Sequence, residues 1–341
     1  MFGKIQLAWY TTKIAAAFGF AAFKKNGRAT HKFGVGASGT IKVLANPNIP
    51  EHDFFSVGRE FKCKLRHGTV SFEDEAAKDI RSASIKFSDQ EEEAPLDLIM
   101  NTGDQGFFNA VEFWQFTMAS IQGMKEGEVV SSEGLKALFT KDPLQSQLFE
   151  EGLRRAPSSF SQLYYHTQLI NYFKAKDGKI RYVKYRLTPE DKSTESGIPI
   201  GEDAERPYDQ IRFANETKPN DYLRNEFKER LSKKNIIYYL QIQLREDDRK
   251  STLDKSSLFR QEVEWEEKKY PWLDLAKVTL DKVLSFEETE KLRFNVGRQP
   301  SSLGIIPADS PEDPRSINHI RASVYSASQL MRSIRFKSVR K

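Results

Sequence analysis

The chain has 341 residues, 38% of them hydrophobic and 30% charged, so it can bury a sizeable core and is neither a disordered nor a fibrous sequence. Its 53 Lys+Arg against 48 Asp+Glu leave a net charge of +5 with both signs abundant, which argues against a nucleic-acid partner and suits an anionic small substrate. A single cysteine, Cys63, excludes an internal disulfide framework and a cysteine-based zinc site, and makes the cytoplasm the default compartment.

Residues 1–26 read as a helical segment. It contains the apolar run "IAAAFGFAAF", Ile14 to Phe23, too short to span a bilayer, which needs ~20 residues. No clear small-residue cleavage site precedes the basic "KKNGR", so a helix packed on the body, or lying on a membrane surface, fits better than a signal peptide. Next comes "RATHKFGVGASGTIKVLAN", in which Gly34, Gly36 and Gly39 spell G-x-G-x-x-G. A dinucleotide loop needs a helix after the glycines. Here Thr40 to Leu44 is β-branched and alternating, which predicts a strand, so the glycines serve close backbone approach to something bulky.

From Gly34 to Phe87 the chain reads as strands, with Cys63 buried between Lys62 and Lys64. "DQEEEAP", from Asp89, is a solvated turn, and "PLDLIMN" an apolar strand ending at Asn101. Phe107 to Arg155 is expected to be mainly helical. "YFKAKDGKIRYVKYRLTP" is a hairpin turning at Asp177-Gly178, and residues 190–220 are a long polar loop. "DYLRNEFKERLSKK" is a helix, "NIIYYLQIQLRE" and "AKVTLDKVL" are strands, and "SINHIRASVYSASQLMRSIRF" is an amphipathic helix. With no repeat and no composition break, residues 27–341 are expected to form one α+β domain behind the N-terminal segment.

Three places hold polar residues suited to chemistry: His31 at the start of the β region, Asn101 at the end of an apolar strand, and the final helix with Arg321, Tyr325 and Arg332. Arg321 and Tyr325 are i,i+4 neighbours on one helix face. An adjacent cation favours a phenolate, tyrosine is an axial ligand of haem iron, and a further arginine can pair a propionate. Spacing alone favours the plainer reading, a solvated helix surface.

Four segments, in order, resemble haem catalases. "RATHKFGVGASGTIKV" looks like the segment carrying the distal histidine, "DIRSASIKFSD" like the strand that follows, "PLDLIMNTG" like the segment carrying the distal asparagine, and "IRASVYSASQLMR" like the proximal helix. The closer resemblance is to the catalase-related allene oxide synthases of corals and microbes, seen in "PEHDFFSVGREF", "LRHG", "LRRAP", "FKAKDGKIRY", "YPWLDLAKV" and "SPEDPRSI". It implies a catalase-like antiparallel β-barrel with added helices, lacking the C-terminal domain of large catalases, and a ferric haem b.

By that resemblance Tyr325 is the proximal ligand and Arg321 the residue keeping it anionic. His31 and Asn101 are the distal pair, and Arg28, Arg66 and Arg332 bind propionates. Thr30 stands where typical catalases have valine, its hydroxyl expected to bond the imidazole or a bound water, and Gly68 stands where they carry a serine. The glycines are then expected to let the backbone pass a flat porphyrin. Phe107, Phe108, Phe113, Trp114 and Phe116 are candidates to line a lipid channel, while His52, His67, His166 and His319 are surface or structural residues. The implied activity is conversion of a fatty acid hydroperoxide, supplied by a lipoxygenase, to an allene oxide. A hydroperoxide lyase, or a small catalase or organic peroxidase, would use the same residues, and a peripheral membrane contact would suit such a lipid substrate.

Overall fold

Strand β2, Glu60–Thr69, shows how the sequence selects its architecture. Phe61, Cys63 and Leu65 are buried while Glu60, Lys62 and Lys64 face outward, the period-two alternation of a sheet with one solvated face. Beyond Leu65 both faces are buried, because something covers the outer wall at that end.

In a computed structural model, which describes residues 2–24, 27–88, 95–103, 109–125, 136–137, 140, 149–207, 209–246, 258–259 and 264–338, eight strands close on themselves. They are β1 (Gly34–Val43), β2, β3 (Lys78–Ser88), β4 (Asp97–Asn101), β6 (Tyr165–His166), β8 (Ile180–Pro189), β9 (Ile236–Glu246) and β10 (Leu273–Val283), each antiparallel to the next, with β10 returning to β1. Two short strands lie off this ring: β5 (Leu153–Arg155) on β3 and β7 (Asn171–Lys174) on β8. Closure leaves the eight strands no free edge. The interior is filled by Leu65, Ile85, Phe87, Leu98, Tyr185, Ile242, Val278 and their neighbours. Full burial of each apolar side chain contributes roughly 1.5–3 kcal/mol.

Among the described residues, five helices longer than one turn accompany the barrel: α1 (Phe2–Lys24), α2 (Ala110–Lys125), α3 (Tyr222–Lys233), α4 (Phe286–Lys291) and α5 (Ser316–Ser338). Leu223, Phe227 and Leu231 of α3 join the barrel core. Helices α1 and α5 run parallel, from Gly3 beside Asp309 and Ser310 to Gly19 beside Ala327 and Met331, with Leu7 and Ile14 packed on Ile320 and Val324. No helix among the described residues is long and apolar enough to cross a membrane.

The expected α+β barrel with its hairpin at Asp177-Gly178 is present. Part of the segment expected to be helical is not: Leu153–Arg155 is a strand, held by pairing with Lys78–Ile80. The expected long loop carries one helical turn, Glu202–Glu205. The acidic turn from Asp89, and Phe107 and Phe108, lie outside the described residues.

The glycines of the first strand meet neighbouring chain segments, and none of them lines a cavity. A Cβ on Gly39 would collide with the Thr279 carbonyl of β10, at the bulge between Ser38 and Gly39, and one on Gly34 would collide with the His67 carbonyl and stand 2.7 Å from the Arg66 guanidinium carbon. They are glycines because neighbouring strands leave no room. We therefore expect Gly39→Ala to lose roughly 1–3 kcal/mol of stability through overpacking. Gly304→Ala, whose nearest neighbour would lie at 3.5 Å, should be near neutral; paired urea titrations check both.

Candidate functional site

What covers the outer wall of β2, β3 and β4 is the helical layer. Between the two lies a cavity of about 260 Å³. The barrel side supplies Arg66, Ile80, Ser82, Ser84, Ile99 and Asn101, while α5 supplies Arg321, Tyr325 and Arg332. Side chains alternate across the strands, so Leu65, Ala83, Leu98 and Met100 point into the barrel while Arg66, Ser82, Ile99 and Asn101 point out to the cavity.

His31 enters from the segment before β1. Its backbone sits at φ 55, the left-handed region, and its N–H donates to the Val70 carbonyl at 2.9 Å. A non-glycine residue there is strained, and such strain concentrates at working sites. The imidazole Nδ1 lies 3.0 Å from Ser82 Oγ, whose hydroxyl donates to the Gly68 carbonyl at 3.1 Å. A hydroxyl has one hydrogen, so with that hydrogen given to Gly68 the oxygen accepts from Nδ1–H. The lone pair is then on Nε2. Burial, then Arg66, Arg321 and Arg28, push His31 down to about 3, so the ring is neutral and a free base at ordinary pH.

Asn101 pairs with Ser82 across β3 and β4. Its Nδ2 donates to Gln168 Oε1 at 3.1 Å, and its buried Oδ1 has no protein partner. At another part of the cavity Arg28, Arg66 and Arg332 gather around one carboxylate: Glu290 is 2.7 Å from Arg28 and 3.4 Å from Arg66. Burial and the neighbouring Arg28 push Arg66 down to about 9, and burial, then Arg28, push Arg332 down to about 10. The Nε atoms of both are buried without a partner. Three guanidiniums against one carboxylate leave positive charge and donors that a dianionic group would satisfy.

On α5, Arg321 Nη2 donates to the Tyr325 hydroxyl at 3.3 Å, confirming the shared face. Tyr325 packs against the apolar cluster that includes Ile99, Leu169, Leu292 and Phe294. The cavity thus joins a helix-borne phenol with its guanidinium to a neutral imidazole from the segment before β1 and a barrel-borne amide.

A family model for catalase matches residues 15–332. The chain belongs to the catalase family. Three solved catalases share the fold: a fungal catalase (TM-score 0.67, 20% identity, covering 90% of this chain and 62% of that one), catalase A from Saccharomyces cerevisiae (0.67, 19%, 92% and 62%) and a bacterial catalase (0.68, 16%, 92% and 59%). The chain is also 38% identical to an allene oxide synthase-lipoxygenase protein of Plexaura homomalla, over 99% of this chain and 31% of that protein. It is 28% identical to a linolenate 9R-lipoxygenase of Nostoc sp., over 95% of this chain and 41% of that protein. It therefore spans between about a third and two-fifths of the length of these two curated relatives.

In this catalase-family barrel all eight residues singled out from the sequence (Arg28, Thr30, His31, Arg66, Asn101, Arg321, Tyr325 and Arg332) line the one cavity. Two expectations are corrected. The hydroxyl bonded to the imidazole is that of Ser82, not Thr30, because Ser82 stands on the strand beside it. Trp114 turns away from the cavity toward α1, with Lys13 Nζ 4.3 Å from its ring, while Phe113 and Phe116 line the cavity. His52 and His67 are buried, His67 Nε2 lying 2.8 Å from the Tyr238 hydroxyl, and His319 accepts from the Ala308 N–H. The residues not found from sequence are Ser82, Gln168 and Glu290. Glu290 lies on α4, whose start was written in the sequence as a capping box, Ser285 with Glu288.

The neutral histidines fix a pH dependence. His31 and His67 are both held at about 3 against an ordinary 6.5, His67 also mainly by burial. The unfolded chain takes up protons below about 6.5 that the fold refuses down to about 3, so stability falls as pH drops through that window. We expect ligand-free protein to be less stable to urea near pH 5 than near pH 7.5, and His31→Gln to shrink that difference by at most about 2 kcal/mol.

Proposed function

We propose that this chain is a haem-dependent enzyme that converts a fatty acid hydroperoxide to an allene oxide. The observation that supports it most is the single cavity with the Tyr325–Arg321 pair on its helix side and His31, Ser82 and Asn101 on its barrel side. The residues fit haem b. Tyr325 would ligate the iron, with Arg321 stabilising it as an anion. Arg28, Arg66 and Arg332, with their uncompensated charge and unpaired buried Nε atoms, suit the two propionates. When bound, ferric haem would supply cleavage of the O–O bond.

The chain's own groups handle protons and position. The overall conversion loses water: the terminal oxygen of the hydroperoxide leaves with its own hydrogen and one taken from carbon. His31 Nε2, which carries the lone pair because Ser82 accepts from Nδ1–H, accepts the hydroperoxide proton and returns it to the departing oxygen. Asn101, held through Gln168, orients the peroxide. Phe113, Phe116 and Phe149, with Ile80 and Ile99, exclude water and suit an alkyl chain, each buried CH₂ contributing ~0.8 kcal/mol. The matched relatives carry lipoxygenase in their names, which supports a lipoxygenase as the source of the hydroperoxide.

Tyr325→Phe should lose haem or alter its Soret spectrum, and Arg321→Ala should weaken haem retention about tenfold or more, the worth of one charge-assisted hydrogen bond. A Tyr325→Phe protein with an unchanged spectrum removes the ligand assignment.

The substrate is tested by comparing kcat/KM on positional fatty acid hydroperoxides and on hydrogen peroxide, with products identified by mass spectrometry. Ketols derived from an allene oxide support the proposal; short aldehydes assign a lyase; preference for hydrogen peroxide assigns a small catalase. Thr30 also lines the cavity, and its hydroxyl can hold a water beside His31. Thr30→Val should therefore raise turnover of hydrogen peroxide, and no gain removes that role.

A further inference from the structure

The outward side of α1 is apolar. Phe2, Ile5, Trp9, Phe20 and Phe23 are 73%, 61%, 60%, 62% and 43% exposed. At ~100° per residue they fall in one stripe about 60° wide and about 30 Å long. Exposed Thr12 and Ala16 lie in its middle. The opposite side of the helix, with Leu7 and Ile14, is buried against α5, so the exposed residues are not core residues displaced outward. On α5 itself Leu330 and Ile334 are exposed as well. Contiguous apolar surface of this kind marks an interaction site.

Charge decides the partner. By sequence, residues 1–28 and 316–341 together hold eleven of the 53 Lys+Arg and none of the 48 Asp+Glu, so the rest of the chain is net acidic. Some of these cations, Arg28, Arg321 and Arg332, face the cavity; along α1, Lys4 lies 3.4 Å from Asp309, Lys13 Nζ stands 3.7 Å over the Trp9 ring, and Lys24 closes the last turn. A second copy of the chain meeting this face about a two-fold axis would set cation against cation. An anionic lipid surface complements it, and Trp and Phe with flanking lysines are the side chains that seat in a headgroup layer. We propose that α1 is an interfacial helix that docks this protein on an anionic phospholipid bilayer, lying in its plane without crossing it. The same helix turns Phe18 into the cavity, stacked on Phe113 at 5.8 Å, so docking sets the cavity one helix away from the acyl chains. The docking rests on this surface and not on the activity proposed above.

The test is flotation of the full chain with vesicles of phosphatidylcholine alone and of phosphatidylcholine containing phosphatidylglycerol. Binding should be about tenfold or more stronger to the anionic vesicles. The triple variant Ile5→Gln, Trp9→Gln, Phe20→Gln, checked for an unchanged circular dichroism spectrum, should lose about tenfold or more of that binding. The conservative Trp9→Phe should lower quenching of protein fluorescence by brominated phosphatidylcholine. Failure of the intact chain to bind anionic vesicles, full binding by the triple variant, or equal quenching in Trp9→Phe overturns the proposal. So does a vesicle-free dimer that the triple variant dissolves, which would assign the stripe to a second copy.

Discussion

One row of strand partners organises the site. Gly34 of β1 faces Gly68 of β2, Gly68 faces Ser82 of β3, Ser82 faces Asn101 of β4, and Asn101 faces His166 of β6. The row continues through Arg186 of β8 and Gln241 of β9. A slip of one residue in any pairing would turn Ser82 or Asn101 into the barrel and an apolar partner out. The interior volume forbids that, because Ala83, Ile85, Leu98 and Met100 must stay inside. The hydrogen bond from Ser82 to the imidazole and the reach of Asn101 to the cavity are consequences of how the core is filled. The link between β4 and β6 is a single residue pair, and Asn101 makes it.

The electrostatics of the cavity follow from that placement. Arg66 is on the same outer face of β2, two residues before Gly68, so a buried guanidinium stands near a buried imidazole. Burial first, and then the cost of a second charge beside these guanidiniums, keep His31 neutral. The same cations that hold the imidazole as a base are short of carboxylates themselves, with Glu290 alone among them. A group that brings negative charge to Arg28, Arg66 and Arg332 therefore relieves the strain of three like charges, whereas it would do nothing for an apolar rim. Charge excess at one part of the cavity and neutrality at another are one arrangement.

Much of this was legible in the sequence, and the reasons differ by residue. Tyr325 and Arg321 could be paired because helical spacing is local: four residues apart means adjacent. The strands of the barrel could be read from alternation, as at Phe61, Cys63 and Leu65. Ser82 could not be assigned, because its link to His31 spans 51 residues and depends on two strand registers. Gln168 and Glu290 were hidden for the same reason, and Glu290 also because a six-residue helix leaves little periodic signal. Gly34 and Gly39 were read as making room, but for the wrong neighbour: backbone approach to an adjacent strand and to a ring look alike in one dimension, and only the pairing of β1 with β2 and β10 distinguishes them.

The two sides of the cavity are held by different physics, and this separates what the site does from what it takes. His31, Ser82 and Asn101 are fixed by backbone hydrogen bonds and register, which tolerate no half-measures. Phe18, Phe113 and Phe116 are held by apolar contact between helices, where residues of similar volume exchange at a cost usually below ~1.5 kcal/mol. Proton handling is thus the rigid property of the barrel wall, and the room for a substrate chain is the adjustable property of the helix wall. Under the proposed reaction, the length and shape of the accepted lipid would be set by α1 and α2, with the imidazole and amide unchanged. Tyr325 belongs to both sides at once: it is carried by a helix, yet packs on an apolar cluster that includes Ile99 of the barrel and Phe294 of the segment after α4. A change in helix packing that moved α5 would therefore act on the phenol as well as on the cavity's volume.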